Sequence, residues 1–161
     1  MTIQEIELSE ENKNEILSKE HSFVEFEYLS TSHQEEVRCL VAKNPFLPQI
    51  YAEMMVKDIY PSVRAALAEN QNLARPVIDL LVLDNHILVL QEIAKHPNLI
   101  ENQITTFSKH RSFFVRNSVA KNPSILPELL DELSRDKEWG VRRSVAANPK
   151  TTRQILERLA K

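Results

Sequence analysis

The sequence contains very little glycine and cysteine. Gly140 is the only glycine among 161 residues, whereas proline occurs eight times. Because tight turns between strands depend on glycine, this scarcity favours helices joined by proline-containing corners over a sheet protein. A glycine-rich phosphate-binding loop is excluded for the same reason. Cys39 is the only cysteine, which excludes a disulfide within the chain and a metal site built from thiolates alone.

The sequence also lacks a long apolar run. The longest one lies around Leu80–Leu83, between Asp79 and Asp84, and is far shorter than the roughly 18 residues that a membrane-spanning helix needs. The N-terminus has neither a basic start nor an apolar region, so we expect no secretory signal and a reduced, cytoplasmic location. The hydrophobic fraction of 42% and the charged fraction of 27% are typical of a folded chain.

Charge is distributed unevenly along the chain, whose net charge is −3. Residues 1–36 hold ten acidic and two basic residues, which gives −8, and residues 37–161 hold thirteen and eighteen, which gives +5. One interpretation is a well-solvated acidic segment beside a mildly basic body. The other is that the acidic segment covers a basic surface or competes for it.

A 26-residue repeat organises the chain from Val37 onward. Five rows begin at residues 37, 63, 89, 115 and 141, and none contains an insertion. Two columns are occupied by one residue type throughout: Val37, Val63, Val89, Val115 and Val141, and Ala42, Ala68, Ala94, Ala120 and Ala146. A fixed period of this length is typical of a repeat architecture.

Each row predicts two short helices. In the first half, Val-Arg-x-x-Val-Ala places apolar residues at i, i+4 and i+5 on one helical face. The asparagine that follows, usually before proline, ends this helix, and its side chain can cap the next turn. In the second half, Leu129, Leu130 and Leu133 exemplify an i, i+1, i+4 stripe. Neither helix can bury its stripe alone, so the rows predict an all-α solenoid.

The string Val-Arg-x-x-Val-Ala-x-Asn-Pro resembles the leucine-rich-repeat-variant family, which belongs to the HEAT-like helical repeats. Val115–Pro123 and Val141–Pro149 match it best, whereas Gln71, Leu90 and His96 depart from it. The resemblance covers residues 37–161 and implies a right-handed superhelix of paired helices. It implies no single activity. The cysteine group that holds an iron–sulfur cluster in a founding member is missing, so we expect no cofactor.

HEAT-like repeats also place an aspartate six residues before the arginine of the next helix. Asp58 precedes Arg64 and Asp136 precedes Arg142 at that spacing, whereas Leu90 and His110 interrupt the pattern. We expect this ladder to join adjacent rows through charge-assisted hydrogen bonds. The alternative is an arginine column presented to phosphate.

The first 36 residues do not follow the repeat through their length. Phe23, Val24, Phe26 and Leu29 are nonetheless in register with a second-half helix. We therefore predict an acidic N-terminal helical cap over residues 1–36, with a helix at 18–31. The pattern of residues 1–17 does not decide whether they form another helix.

No catalytic or metal-binding pattern emerges from the sequence. None of the five histidines pairs with another at the i, i+4 spacing of a helical metal site. His96 and His110 occupy columns usually filled by asparagine and aspartate, so we interpret them as variants of those structural positions. We predict that the protein is not an enzyme and holds no metal.

Three apolar residues lie off the inward stripe of the second helices: Met54, Leu80 and Leu83. The matching positions of rows four and five are charged, at Glu132, Arg135, Arg158 and Lys161. Simple solenoid packing does not explain this difference. Either the N-terminal segment folds over these residues, which Phe23, Phe26 and Leu29 favour slightly, or another protein or a second copy docks through rows one and two.

These observations favour a non-enzymatic module that binds another protein, with no membrane partner. The alternative is a HEAT-like protein that binds nucleic acid or processes damaged bases. Its basis is a group of aromatic residues near row junctions and basic residues beside them: Tyr60, Phe113, Phe114 and Trp139, with Arg111, Arg116, Lys137 and Arg142. Because the whole chain is acidic, we expect nucleic acid to be the weaker candidate.

Overall fold

The computed structural model describes residues 6–161, and within that range the chain forms twelve α-helices and no strand. The predicted all-α fold is thus confirmed. The helices are α1 (Glu10–Ser18), α2 (Phe23–Ser30), α3 (Glu35–Lys43), α4 (Gln49–Met55), α5 (Pro61–Ala68), α6 (Arg75–Val82), α7 (Ile87–Ile93), α8 (Glu101–Ser108), α9 (Phe113–Ala120), α10 (Pro127–Leu133), α11 (Trp139–Ala147) and α12 (Arg153–Leu159).

The helix starts follow the period of the sequence. The second helices, from α2 to α12, begin at residues 23, 49, 75, 101, 127 and 153. The first helices from α5 onward begin at residues 61, 87, 113 and 139. Each helix is only seven to nine residues long, and helices this short are marginal in water on their own. Their stability therefore depends on packing against other helices.

The N-terminal segment has α2 within residues 18–31, where the sequence predicts a helix, and α1 at Glu10–Ser18, a region that the sequence pattern leaves open. It forms two helices, α1 and α2, because each has its own serine N-cap. The Ser9 hydroxyl accepts from the Asn12 amide, and Ser22 forms a reciprocal capping box with Glu25. Helix α2 begins 26 residues before α4, so the period extends one helix pair further towards the N-terminus than the side-chain columns indicate. Residues 1–5 of the expected cap lie outside the described residues.

The chain divides into two compact units after Val89, inside α7 and one residue after the expected start of row three. In the first unit, α1 and α2 pack on α3, α2 also packs on α4, and α3 packs on α5. Its core contains the inward stripes of these helices: Phe26, Val37, Val41, Met55, Val63, Leu67, Val77, Ile78 and Leu81 are buried.

In the second unit, α9 packs on α8 and α11, and α11 also packs on α10 and α12. Its core follows the same columns: Ile93, Ile104, Val115, Val119, Ile125, Leu130, Val141 and Val145 are buried. Ala146 and Leu156 belong to these columns but are exposed. Across the described part of the chain, every helix is too short or too polar to cross a membrane.

Candidate interaction surfaces

Arginine and aspartate side chains form bidentate ion pairs between positions twenty residues apart. In each pair the arginine Nε donates to Oδ2 at 2.6 Å, and Nη2 donates to Oδ1 at 3.0 to 3.2 Å. The pairs are Arg38 with Asp58, Arg64 with Asp84, and Arg116 with Asp136. The arginine lies in the first helix of a row and the aspartate follows the second helix of the same row, so each charge-assisted ion pair joins the two halves of one row.

The pairing differs from the one that the six-residue spacing predicts. At that spacing the arginine Nη1 donates to the main-chain carbonyl of the aspartate, from Arg64 to Asp58 and from Arg142 to Asp136. These carbonyl contacts join adjacent rows, whereas the carboxylate itself binds the arginine of its own row. The carboxylate also accepts from the amide two residues on. The Asp136 carboxylate, for example, accepts from the Glu138 amide at 2.9 Å.

The interruption of the ladder removes both members of one pair. Leu90 and His110 are twenty residues apart, at the spacing that separates each arginine from its aspartate elsewhere. His110 keeps the other contact of that column, since its Nδ1 accepts from the Ser112 amide at 3.1 Å. It is therefore a structural variant of the aspartate, as expected from its place in the repeat.

The paired arginines are sequestered from solvent. In the three ion pairs each side chain is between 7% and 14% exposed. The Arg116 guanidinium holds the pKa of the Asp136 carboxyl below its usual range. Burial alone would raise the pKa of Asp84, but the hydrogen bonds from Arg64 and the His86 amide lower it overall. These three guanidinium groups are occupied, which disfavours the alternative of a phosphate-binding arginine column.

The repeated asparagines join corners of successive rows. The Asn122 Oδ1 accepts from the Ser124 amide at 2.7 Å, which is the capping contact expected from the sequence. Its Nδ2 reaches back to the carbonyls of Ala94 and His96 at 2.8 and 3.0 Å. Asn44, Asn70 and Asn148 make the same two kinds of contact. The role of these side chains, which recurs from row to row, is therefore structural, and none of them is available to a ligand.

The three residues predicted to bind a partner lie on the surface of the first unit. Met54 is 42% exposed, Leu80 is 46% exposed and Leu83 is 80% exposed. The expected cover by the N-terminal segment is wrong for its described part. Phe26 and Leu29 are buried, and α2 packs on α3 and α4, so its apolar stripe is used in the core.

Tyr28 and a line of carboxylates belong to the same surface, and the sequence columns from Val37 onward missed them. Tyr28 is in register with Met54 and Leu80 and is exposed. We call this surface the acidic–apolar face; its apolar members are Val24, Tyr28, Ile50, Met54, Leu80 and Leu83, and its acidic members are Glu27, Glu53 and Asp79. Extending the period by one row to Phe23 is the sequence signal that would have found them.

A groove borders the acidic–apolar face at the corner that follows α4. It has a volume of about 600 Å³, and Met54, Lys57, Asp58 and Ile59 are among the residues that line it. A shallower depression of about 290 Å³ shares Lys57 and Asp58 and extends to Leu83. Met54 and Leu83 are thus connected along one surface of the first unit.

The matching positions of rows four and five carry charge and exposed ion pairs. The Asp131 carboxylate accepts from Arg135 at 2.5 Å and from Arg158 at 2.6 Å. Glu132 and Lys161 are exposed. This part of the molecule has the composition of a solvated face, as predicted.

The aromatic and basic residues grouped in the sequence do not all come together. Tyr60 lies in the first unit, 5.4 Å from the Arg38 guanidinium, and Arg116 and Arg142 are bound within the ladder. The remaining residues share one end of α9 and α11, which pack together. We call this group the basic–aromatic edge; it consists of Arg111, Phe113, Phe114, Lys137 and Trp139, all exposed.

Within residues 6–161 no cluster of three metal-ligating side chains occurs. Comparison with protein-family models, with curated proteins and with solved structures finds no match to this chain. The interpretation of the surfaces therefore depends on their own geometry and chemistry.

Proposed function

We propose that this protein is a non-enzymatic interaction module that binds another protein through the acidic–apolar face. The proposed scaffold is a right-handed α-solenoid of the leucine-rich-repeat-variant type, with five rows over residues 37–161 and a helical cap before them. The recurrence of helix starts at 26 residues and the repeated arginine and asparagine contacts support this scaffold. No cofactor is part of the proposal.

One observation carries the choice of surface. Met54, Leu80 and Leu83 are apolar and exposed, although their register positions in rows four and five hold charged residues. A contiguous exposed apolar patch with a polar border is typical of a protein-binding site. The carboxylates of Glu27 and Glu53 lie among these residues, so the face suits a partner that combines basic and apolar side chains.

The acidic residues also argue against nucleic acid at this face, because the phosphate backbone requires cationic contacts. The two classes of partner differ in their response to salt. Binding to DNA weakens steeply as salt increases, whereas docking on apolar side chains with charges only at the border weakens less.

Leu80→Glu tests the proposal. Tagged wild-type and variant proteins are retrieved from native cells, and the co-purifying proteins are compared by mass spectrometry. We expect a protein partner to be lost from the variant, because a carboxylate would be buried without a counter-charge in the interface. Circular dichroism should show the same helical content and melting temperature for both proteins, since Leu80 is half exposed.

Ile100→Glu is the matched control. Ile100 is also about half exposed, but it lies in the second unit and is not a member of the face. This variant should retain the partner. Identical partners for Leu80→Glu and wild type, or salt-sensitive retention on DNA with no protein partner, would contradict the proposal.

A further inference from the structure

The acidic–apolar face calls for a partner that is basic and apolar, and the chain itself carries such a surface. The basic–aromatic edge repeats one pattern in two adjacent rows. Arg111 and Lys137 are 26 residues apart, and each stands two residues before an aromatic side chain, Phe113 or Trp139. Phe114 extends the edge, with its ring centroid 4.0 Å from that of Phe113. Two cations therefore lie beside exposed aromatic side chains at the starts of α9 and α11.

The cations of the edge are available for a partner. Neither Arg111 nor Lys137 forms an ion pair with any residue that the structure describes, and both are exposed. Trp139 is 66% exposed. Aromatic side chains of this kind act as anchors in protein interfaces, where they bury a large area at low cost in conformational entropy.

The charges of the two units are complementary. Residues 1–89 hold fifteen acidic and seven basic residues, which gives −8, and residues 90–161 hold eight and thirteen, which gives +5. On the acidic–apolar face, Glu27 has no ion pair among the described residues, and Glu53 bonds only to the Gln49 amide. Opposite net charges on the two units of one chain favour encounter between copies.

We propose that the basic–aromatic edge of one copy docks on the acidic–apolar face of a second copy. This inference rests on the proposed function and specifies the partner as another molecule of the same chain. Both surfaces are exposed in the single chain, so neither is occupied by the chain that carries it. Arg111 and Lys137 would meet the carboxylates of Glu27 and Glu53, and Trp139 would pack against Met54 and its neighbours.

The contact joins two different surfaces, so it is heterologous rather than two-fold symmetric. Each copy in a dimer would retain one unused edge or face, and further copies could add at both. Association should therefore continue beyond a dimer as concentration increases. Added salt should oppose it, because charges exposed at the rim of the contact are screened.

Sedimentation velocity of the full chain over a wide concentration range tests this proposal. An edge-reversed variant combines Arg111→Glu with Lys137→Glu, and a face-reversed variant combines Glu27→Lys with Glu53→Lys. We expect the wild-type mass to rise with concentration and to fall with added salt, and each variant alone to be monomeric. An equimolar mixture of the two variants should regain association, because the reversed edge of one variant complements the reversed face of the other and the unchanged edge and face also remain complementary.

Lys121→Glu with Lys150→Glu is the matched control. It makes the same charge change at the opposite ends of α9 and α11, on exposed residues, and should leave self-association intact. Comparable far-ultraviolet circular dichroism across all variants keeps a folding defect from imitating a loss of contact.

Three results would overturn the inference. The first is a wild-type protein that stays monomeric at every concentration; if Leu80 still governs capture of a different protein, the proposed function stands without it. The second is self-association that the edge-reversed variant retains. The third is a monomeric wild type that binds a fluorescent single-stranded oligonucleotide through Arg111 and Lys137, which would make the edge a nucleic-acid surface.

Discussion

At the scale of single residues, arginine side chains form contacts both within a row and between adjacent rows. Its planar guanidinium can donate to a carboxylate and to a carbonyl simultaneously. Arg116 uses this capacity fully, since Nε and Nη2 bind Asp136 while Nη1 donates to the carbonyls of His110 and Arg111. Arg142 has only the carbonyl contacts, to Asp136 and Lys137. The same column therefore contains arginines of unequal importance.

Arg116→Ala should lower the free energy of unfolding by about 1–3 kcal/mol, because it leaves the Asp136 carboxylate, which is only 7% exposed, without its main partner. Arg142→Ala should cost less, about 1 kcal/mol, since only two partly solvated carbonyls lose a donor. Arg143→Ala is the control and should stay within about 0.5 kcal/mol, because Arg143 is exposed. Urea unfolding of the three variants provides the comparison, and equal losses for Arg116 and Arg143 would refute the assignment.

At the scale of helices, the corners between elements are as important as the helices themselves. Three of the described helices, α1, α2 and α12, have an N-cap serine or threonine whose side chain accepts from the helix. In the rows between them, the buried asparagines hold the corner after the first helix and bind it to the preceding corner. Short helices without strong caps are thereby fixed in register.

Asn122→Ala should reduce the free energy of unfolding by about 3 kcal/mol. Asn122 is fully buried, and its loss leaves the Ser124 amide and the carbonyls of Ala94 and His96 without their side-chain partner. Ser124→Ala is the control at the same corner, since it removes a single bond to the Pro97 carbonyl. It should cost about 1 kcal/mol. Thermal or urea unfolding measures both, and similar losses would show that the corner asparagine has no special importance.

At the scale of the whole molecule, the charged residues at the surface and those in the buried ion pairs have different roles. The acidic first unit carries the proposed face and the basic second unit carries the proposed edge. The ion pairs of the ladder, by contrast, occur within each of the two units and are buried. In the proposed contact, surface charge governs association, whereas the buried ion pairs contribute to stability.

Acid should destabilise the fold through the ladder. The folded pKa values of Asp84 and Asp136 lie below their usual range, and an unfolded aspartate has a pKa of about 3.9. Their contribution is therefore fully present above about pH 5 and is lost as the pH falls through the folded values. Urea unfolding from about pH 2 to about pH 6 should show this loss, and Asp136→Asn should flatten the pH dependence. An unchanged slope in the variant would contradict this account.

Much of the fold could be predicted from the sequence because it follows from local patterns. The 26-residue period, the valine and alanine columns and the corner asparagines predict helix positions that the structure reproduces, from α3 to α12. The uneven charge and the apolar positions Met54, Leu80 and Leu83 are likewise visible in the sequence. Periodicity reports which residues share a helical face, and that information is contained within each short helix.

Only the tertiary structure decided which residues meet across rows and which remain exposed. It assigns the Asp58 and Asp136 carboxylates to arginines twenty residues earlier, assigns Tyr60 to the first unit and Phe113 and Trp139 to the second, and leaves Tyr28 and Met54 exposed. The physical reason is that the direction of a side chain at a corner depends on hydrogen bonds to backbone groups in other rows. The spacing of residues along the chain does not predict the positions of those backbone groups, because they are fixed only when the helices pack.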